Sequence, residues 1–283
     1  MRGVYFAKGE ALGNDYLIVR ARDVGADDAR VAKGGRAMSV AAVRALCDRH
    51  RGAGSDGVLV VWPDASPIRL RIYNPDGSVA EKSGNGLRIA GAWLHGNGYV
   101  RAGDAFDVEL ETDTVSMTVH DAAAGECDVS VEMGRARFLS PEAGEELDVG
   151  GTPVVVHAVS LGNPHCVVVE PRLERSRLER LGPILETHPR FEAGTNVQFA
   201  AARDRSSVAI LIHERGVGET SASGSSSCAV AAVMRRLGLV DGPDVTVHMP
   251  GGTLAVRVAD DYALHLRGPA RVVYEGTFLA LPE

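Results

Sequence analysis

Hydrophobic and polar residues alternate along several short stretches of the chain: Ile68 to Tyr73, Val115 to Val119, Val129 to Met133, Val154 to Val159, Val208 to Ile212, Val245 to His248 and Leu254 to Val258. A period of two with β-branched enrichment predicts strands. Two stretches follow a helical period instead. From Gly84 to Leu94, the residues Leu87, Ala90, Gly91 and Leu94 share a face, and from Gly224 to Leu237 so do Val230, Val233, Met234 and Leu237. Both helices start at a serine, Ser83 or Ser223. The first is predicted to end at Gly96 and Gly98, the second at Gly238, where a left-handed cap belongs. Strands of this kind around one longer helix predict an α/β (α+β) domain with a mixed, mainly antiparallel sheet.

The chain also aligns with itself. At an offset of 140 residues Gly54-Ser55-Asp56 meets Gly194-Thr195-Asn196, Asn74 meets Glu214, Ser83-Gly84 meets Ser223-Gly224, and Gly98-Tyr99-Val100 meets Gly238-Leu239-Val240. Upstream the offset becomes 149, with Leu12-Gly13-Asn14-Asp15 answering Leu161-Gly162-Asn163-Pro164. A solenoid repeats every ~20 to 50 residues, so a period this long means two copies of one domain. The 283 residues suit two domains of ordinary size. The expected division is 1–118, with a C-terminal return at 263–283, and 119–262.

Composition narrows the function. A hydrophobic fraction of 45% and a charged fraction of 24% describe a folded globular chain. The net charge of -7 argues against a phosphate-binding surface, so nucleic acid is not an expected partner. No apolar stretch has the length of a secretory signal or a membrane span, which predicts a cytoplasmic protein without a membrane partner. Cys47, Cys127, Cys166 and Cys228 show neither C-x-x-C pairing nor histidine partners at metal spacing. Buried free thiols and no metal are expected.

The candidate chemistry lies at the two helix starts. The first N–H groups of a helix lack intrahelical partners and carry partial positive charge, so such an end attracts anions. Gly84-Asn85-Gly86 and Gly224-Ser225-Ser226 are small enough to let a carboxylate approach the backbone. Pseudo-symmetric domains that set both ends across one cleft would hold one carboxylate between them, with Ser83 and Ser223 on opposite sides of its α-carbon. For a single Ser-Gly pair, an N-cap is explanation enough. Two in matched register, each preceded at nine residues by a polar side chain, Asn74 or Glu214, read better as a site.

These residues resemble a known family. Phe6-Ala7-Lys8 with Leu12-Gly13-Asn14-Asp15, Asp48-Arg49-His50 with Gly54-Ser55-Asp56-Gly57, Asn74-Pro75-Asp76-Gly77, Gly84-Asn85-Gly86-Leu87-Arg88, Gly162-Asn163-Pro164-His165-Cys166, Thr195-Asn196-Val197, Glu214-Arg215-Gly216 with Gly218-Glu219-Thr220, and Pro250-Gly251-Gly252 look like the blocks of diaminopimelate epimerase, in order and from end to end. The resemblance implies two similar α/β domains, an amino-acid substrate at their interface, no cofactor, and a place in lysine biosynthesis. It implies that Asn14, Asn74, Asn163, Asn196 and Arg215 hold the distal end of the substrate and that Gly84, Asn85, Gly224 and Ser225 cradle the α-carboxylate. His165 and Glu214 are implied beside the reacting centre. Taken singly, the Asn-Gly pairs would be turns and His165 a satisfied buried histidine. Exposed sheet edges add a homodimer as an expectation.

One departure alters the chemistry. The family's pattern carries a cysteine at each of two positions, one thiolate removing the α-proton and the opposite thiol supplying another; here they are Ser83 and Ser223. A thiol of pKa ~8.5 yields a thiolate readily at a helix N-terminus. A serine hydroxyl needs an adjacent base. Three readings stay open at this point: an epimerase or racemase in which His165 or Glu214 assists the serines, a related isomerase or dehydratase acting beside a carboxylate, and an inactive ligand-binding relative.

Overall fold

The computed structural model describes residues 3–26, 31, 35–123, 126–279 and 281–282. The chain forms two compact units, residues 1–131 with 268–283, and residues 132–267.

The first unit contains strands β1 (Val4–Ala11), β2 (Asn14–Arg20), β3 (Val58–Trp62), β4 (Ile68–Tyr73), β5 (Val79–Ala80), β6 (Ala105–Glu109) and β7 (Thr114–Ala123), with helices α1 (Val40–Cys47) and α2 (Gly84–Gly96). It shares β8 (Glu126–Arg135) with the second unit, which adds β9 (Arg137–Phe138), β10 (Glu145–Asp148), β11 (Pro153–Ser160), β12 (Pro164–Val169), β13 (Asn196–Ala202), β14 (Ser207–Glu214), β15 (Gly218–Thr220), β16 (Asp244–Met249), β17 (Gly252–Val258), and helices α3 (Arg175–Glu186) and α4 (Gly224–Arg236). The last strand, β18 (Ala263–Phe278), returns the chain to the first unit after Arg267. The change-over thus lies inside two continuous strands and not in a linker.

The repeat read from the sequence reappears as one pairing scheme used twice. In the first unit β1–β2, β3–β4, β4–β5, β6–β7 and β7–β8 are antiparallel while β2–β3 and β4–β6 are parallel. The second unit has the same pattern from β11 to β18, with parallel pairs at β12–β13 and β14–β16. Each sheet is therefore mixed and mainly antiparallel, as the alternation predicts. The nine extra residues of the first copy fall between β2 and Gly54, where a short 3-10 turn, Ala21–Val24, follows β2.

Side-chain alternation assigns the faces. Leu17, Val19, Val58, Val60 and Trp62 join Val43 and Leu46 of α1 in one core. The intervening Ile18 and Leu59 point the other way, toward α2: a Cβ on Gly9 would lie 2.4 Å from Ile89 Cγ2 and 3.4 Å from Ile18 Cδ1, and one on Gly86 would lie 3.2 Å from Leu59 Cδ2. Covered on both faces, β3 is buried at all its positions. In the second unit α3 supplies Leu178, Leu181 and Leu185 to the corresponding core beside Val156 and Phe199.

Helices α2 and α4 have 13 residues each and are the central helices expected from the sequence. Residues 84–94 of α2 and 226–234 of α4 are buried all round, which a helix enclosed by its sheet must be. Both end alike. Gly98 and Gly238 take positive φ, 77° and 64°. Tyr99 N–H then reaches Leu94 O and Leu239 N–H reaches Met234 O, each at 3.0 Å, the reverse turn that a left-handed glycine permits. Among the described residues no helix is long and apolar enough to cross a membrane.

Candidate functional site

In the first unit, Ser83 occupies the N-cap of α2 and its Oγ accepts from Gly86 N–H at 3.0 Å. The Tyr16 hydroxyl donates to the same oxygen at 3.3 Å. Behind the cap runs a chain of side chains with one sense of donation. Arg88, fully buried, donates to Asn85 Oδ1; Asn85 Nδ2 donates to Asn14 Oδ1 at 3.2 Å; Asn14 Nδ2 donates to Asp56 Oδ2 at 2.8 Å. A guanidinium at one end and a carboxylate at the other fix which way both amides point. Asn14 and Asn85, expected respectively at the distal end and the carboxylate cradle, are thus direct neighbours.

Asp56 also meets Arg49 at 2.6 Å, Arg49 meets Asp15 at 2.8 Å, and Asp15 meets Lys8 at 2.7 Å. Burial alone would raise the Asp15 pKa, but the Arg49 and Lys8 cations outweigh it and bring it down to about 2. A carboxyl depressed below its unfolded value of ~3.9 contributes stability that is complete above that pH and lost as pH falls through the folded value. Asp15→Asn is expected to be less stable than the parent at pH 7 and to lose less further stability between pH 4 and pH 2. Denaturant midpoints across that window check it; parallel acid limbs would refute it.

Asn74 stands apart from these residues. Its Nδ2 donates to Ser78 Oγ at 2.9 Å and its carbonyl accepts from Gly77 N–H at 2.9 Å, so it closes the turn between β4 and β5. Gly84 and Asn85 lie buried in the first turn of α2.

The second unit repeats the cap position with a different outcome. Ser223 is buried at the start of α4, yet its hydroxyl makes no cap hydrogen bond. Its carbonyl accepts instead from Ser227 N–H at 3.1 Å and Ser227 Oγ–H at 2.8 Å. Gly224 is buried and Ser225 half-buried in the same turn. An N-cap accounts for Ser83 and leaves Ser223 unexplained.

His165 is fully buried. Gln198 Nε2 donates to its Nδ1 at 3.2 Å, so the ring proton sits on Nε2 and is donated to Asn163 Oδ1 at 3.1 Å. Burial, reinforced by the Arg215 cation, pulls the histidine pKa down to about 3. The ring is neutral at physiological pH, with both nitrogens engaged. Gln198 also donates to Ser226 Oγ at 3.0 Å. Asn196 and Arg215 come together: Asn196 Oδ1 accepts from Arg215 N–H at 3.1 Å, and Asn196 Nδ2 holds Pro164 O at 3.1 Å. Glu214 is half-buried at the last position of β14, directly before the exposed Arg215. The four cysteines are free and buried, and burial pushes the thiols of Cys47, Cys127 and Cys166 up, which leaves them unsuited to stand in for a catalytic thiolate.

Two participants escaped the sequence reading. Gln198 is a polar residue inside the apolar run of β13, and that interruption was a legible signal. Tyr16 sits in an apolar run of β2 and reads as an ordinary core aromatic; only the fold brings its hydroxyl to Ser83.

A model of the diaminopimelate epimerase family matches residues 6–139 and 157–273. The protein called diaminopimelate epimerase 2 of Nostoc sp. is 37% identical over 284 residues, spanning 96% of this chain and 94% of its own. A diaminopimelate epimerase of Desulforudis audaxviator is 35% identical over 292 residues, spanning 97% and 99%. Among solved structures, a predicted epimerase of Pseudomonas aeruginosa superposes with a TM-score of 0.68 at 19% identity, covering 98% of this chain and 99% of that one. A hydroxyproline epimerase of Agrobacterium vitis with bound trans-4-hydroxy-L-proline gives 0.67 at 15%, covering 98% and 91%. At such identities the structures attest the shared fold.

Proposed function

Since the chain belongs to the diaminopimelate epimerase family, whose named members are isomerases, we propose that it inverts an amino-acid α-carbon without a cofactor, with LL- and meso-diaminopimelate as the leading substrate pair and Ser83 and Ser223 as the proton-handling groups. The observation that carries this is the register of the two units: central helices of equal length, 140 residues apart, each starting on a Ser-Gly step whose glycine is buried. Such ends suit a carboxylate. In this reading Gly84, Asn85, Gly224 and Ser225 receive the α-carboxylate, while Asn14, Asn74, Asn163, Asn196 and Arg215 recognise the polar far end.

His165, neutral and engaged at both nitrogens, acts by orienting Asn163 beside the reacting centre. The Glu214 carboxylate is then the base assigned to Ser223. A cytoplasmic location and a homodimeric state belong to the same proposal.

Incubation with LL- and meso-diaminopimelate in deuterated water tests it. Stereoinversion with uptake of one α-deuterium is expected. Loss of water without inversion would replace the epimerase with a dehydratase, and binding without either signal would leave an inactive relative.

A further inference from the structure

Ser83 Oγ receives two hydrogen bonds, from Gly86 N–H and from the Tyr16 hydroxyl. A hydroxyl oxygen has two lone pairs and one hydrogen, so with both lone pairs filled it presents only its proton to a third group. No acceptor for that proton occurs among the described residues. Ser223, without a cap bond, is under no such constraint. Tyr16 is itself held firmly: it is 6% exposed on β2, and a Cβ added at Gly57 would lie 2.6 Å from its ring.

We propose that Tyr16 is the positioning residue that makes Ser83 a proton donor in the reaction and takes up the charge this creates. The inference rests on the reading of Ser83 as a proton-handling group. As the Ser83 Oγ–H bond breaks, the carbanion's electron pair takes the proton into a new Cα–H bond, and the O–H electron pair stays on Oγ. The Tyr16 proton then moves to Oγ, leaving a neutral serine and a phenolate. Solvent returns a proton to the phenolate. A phenol with a pKa of ~10 bears the charge far more easily than an aliphatic alcohol, and the Gly86 N–H steadies the oxygen during transfer. The proton abstracted from the opposite face remains on the base there, so atoms and charge balance.

Tyr16→Phe keeps the ring and removes the donor. Its kcat is expected to fall about 10²-fold with KM little changed. The alkaline limb that Tyr16 ionisation gives the kcat profile of the parent should vanish in the variant. An independent readout is the Tyr16 resonance of protein carrying 13C at the tyrosine ζ carbon, titrated in the parent and in Ser83→Ala. A shift in its midpoint between the two supports the pairing. Unchanged kcat and pH profile in Tyr16→Phe, or coincident titrations, would overturn the inference while leaving the epimerase reading intact. A parent inactive on diaminopimelate would instead count against that reading, and the resonance experiment would still decide the pairing.

Discussion

Alanine at position 223 is expected to lower the rate of inversion by roughly 10²- to 10⁴-fold, the range for losing a positioned acid or base, while leaving stability near that of the parent. Alanine at position 83 is expected to lower both. The difference follows from the caps. Ser83 Oγ holds Gly86 N–H at 3.0 Å, and removing such a cap costs ~1 kcal/mol. The Ser223 hydroxyl holds no first-turn N–H, and the start of α4 is secured through the Ser223 carbonyl, which the substitution retains. Denaturant midpoints and kcat measured on both variants separate the roles. Full activity in Ser223→Ala would remove Ser223 from the chemistry. A stability loss equal to that of Ser83→Ala would make it a cap after all, and the reading of two proton-handling serines would lose its strongest support.

The same pair marks how far the sequence could be read. Ser83-Gly84 and Ser223-Gly224 are alike as text, and their matched register was visible because the chain aligns with itself at an offset of 140 residues. Which hydroxyl caps its helix is decided by side-chain orientation and by Tyr16, far away in sequence, and no local pattern encodes that. His165 is comparable. Its place after Gly162-Asn163-Pro164 was legible, but full burial and engagement of both ring nitrogens depend on Gln198 from the neighbouring parallel strand. The passage between units was hidden for another reason: β8 and β18 run through it as unbroken strands, so Gly134 and Gly268-Pro269 lie inside strands and mark no linker. Asn74 closes the turn between β4 and β5 through Ser78 and Gly77, contacts that its resemblance-based role at the distal end did not foresee.

Arg88→Met is expected to destabilise the protein by about 2–5 kcal/mol, the largest stability effect of any single change considered. The Arg88 guanidinium is fully buried at the first full turn of α2. It donates to Gly84 O at 3.2 Å, to Pro269 O at 2.6 Å and to Asn85 Oδ1, so it ties the start of the helix to β18 within the first unit. An arginine stays ionised under all ordinary conditions, and burying it carries a desolvation penalty that methionine avoids. That gain is outweighed if Pro269 O and Asn85 Oδ1 are left without this donor, each at a cost of ~1–3 kcal/mol. The consequence reaches the site, because Arg88 orients Asn85, Asn85 orients Asn14, and Asn14 faces Asp56. A raised KM should therefore accompany the lost stability, whereas a stability defect remote from the site would lower the active fraction and leave KM alone. Arg88→Lys separates charge from geometry: it keeps the positive charge but lacks the planar fork that reaches several acceptors at once, so an intermediate stability with a raised KM is the expected result. If Arg88→Met unfolds at the same denaturant concentration as the parent, the guanidinium is a tolerated burden, and the orientation of Asn14 and Asn85 must come from Asp56 alone.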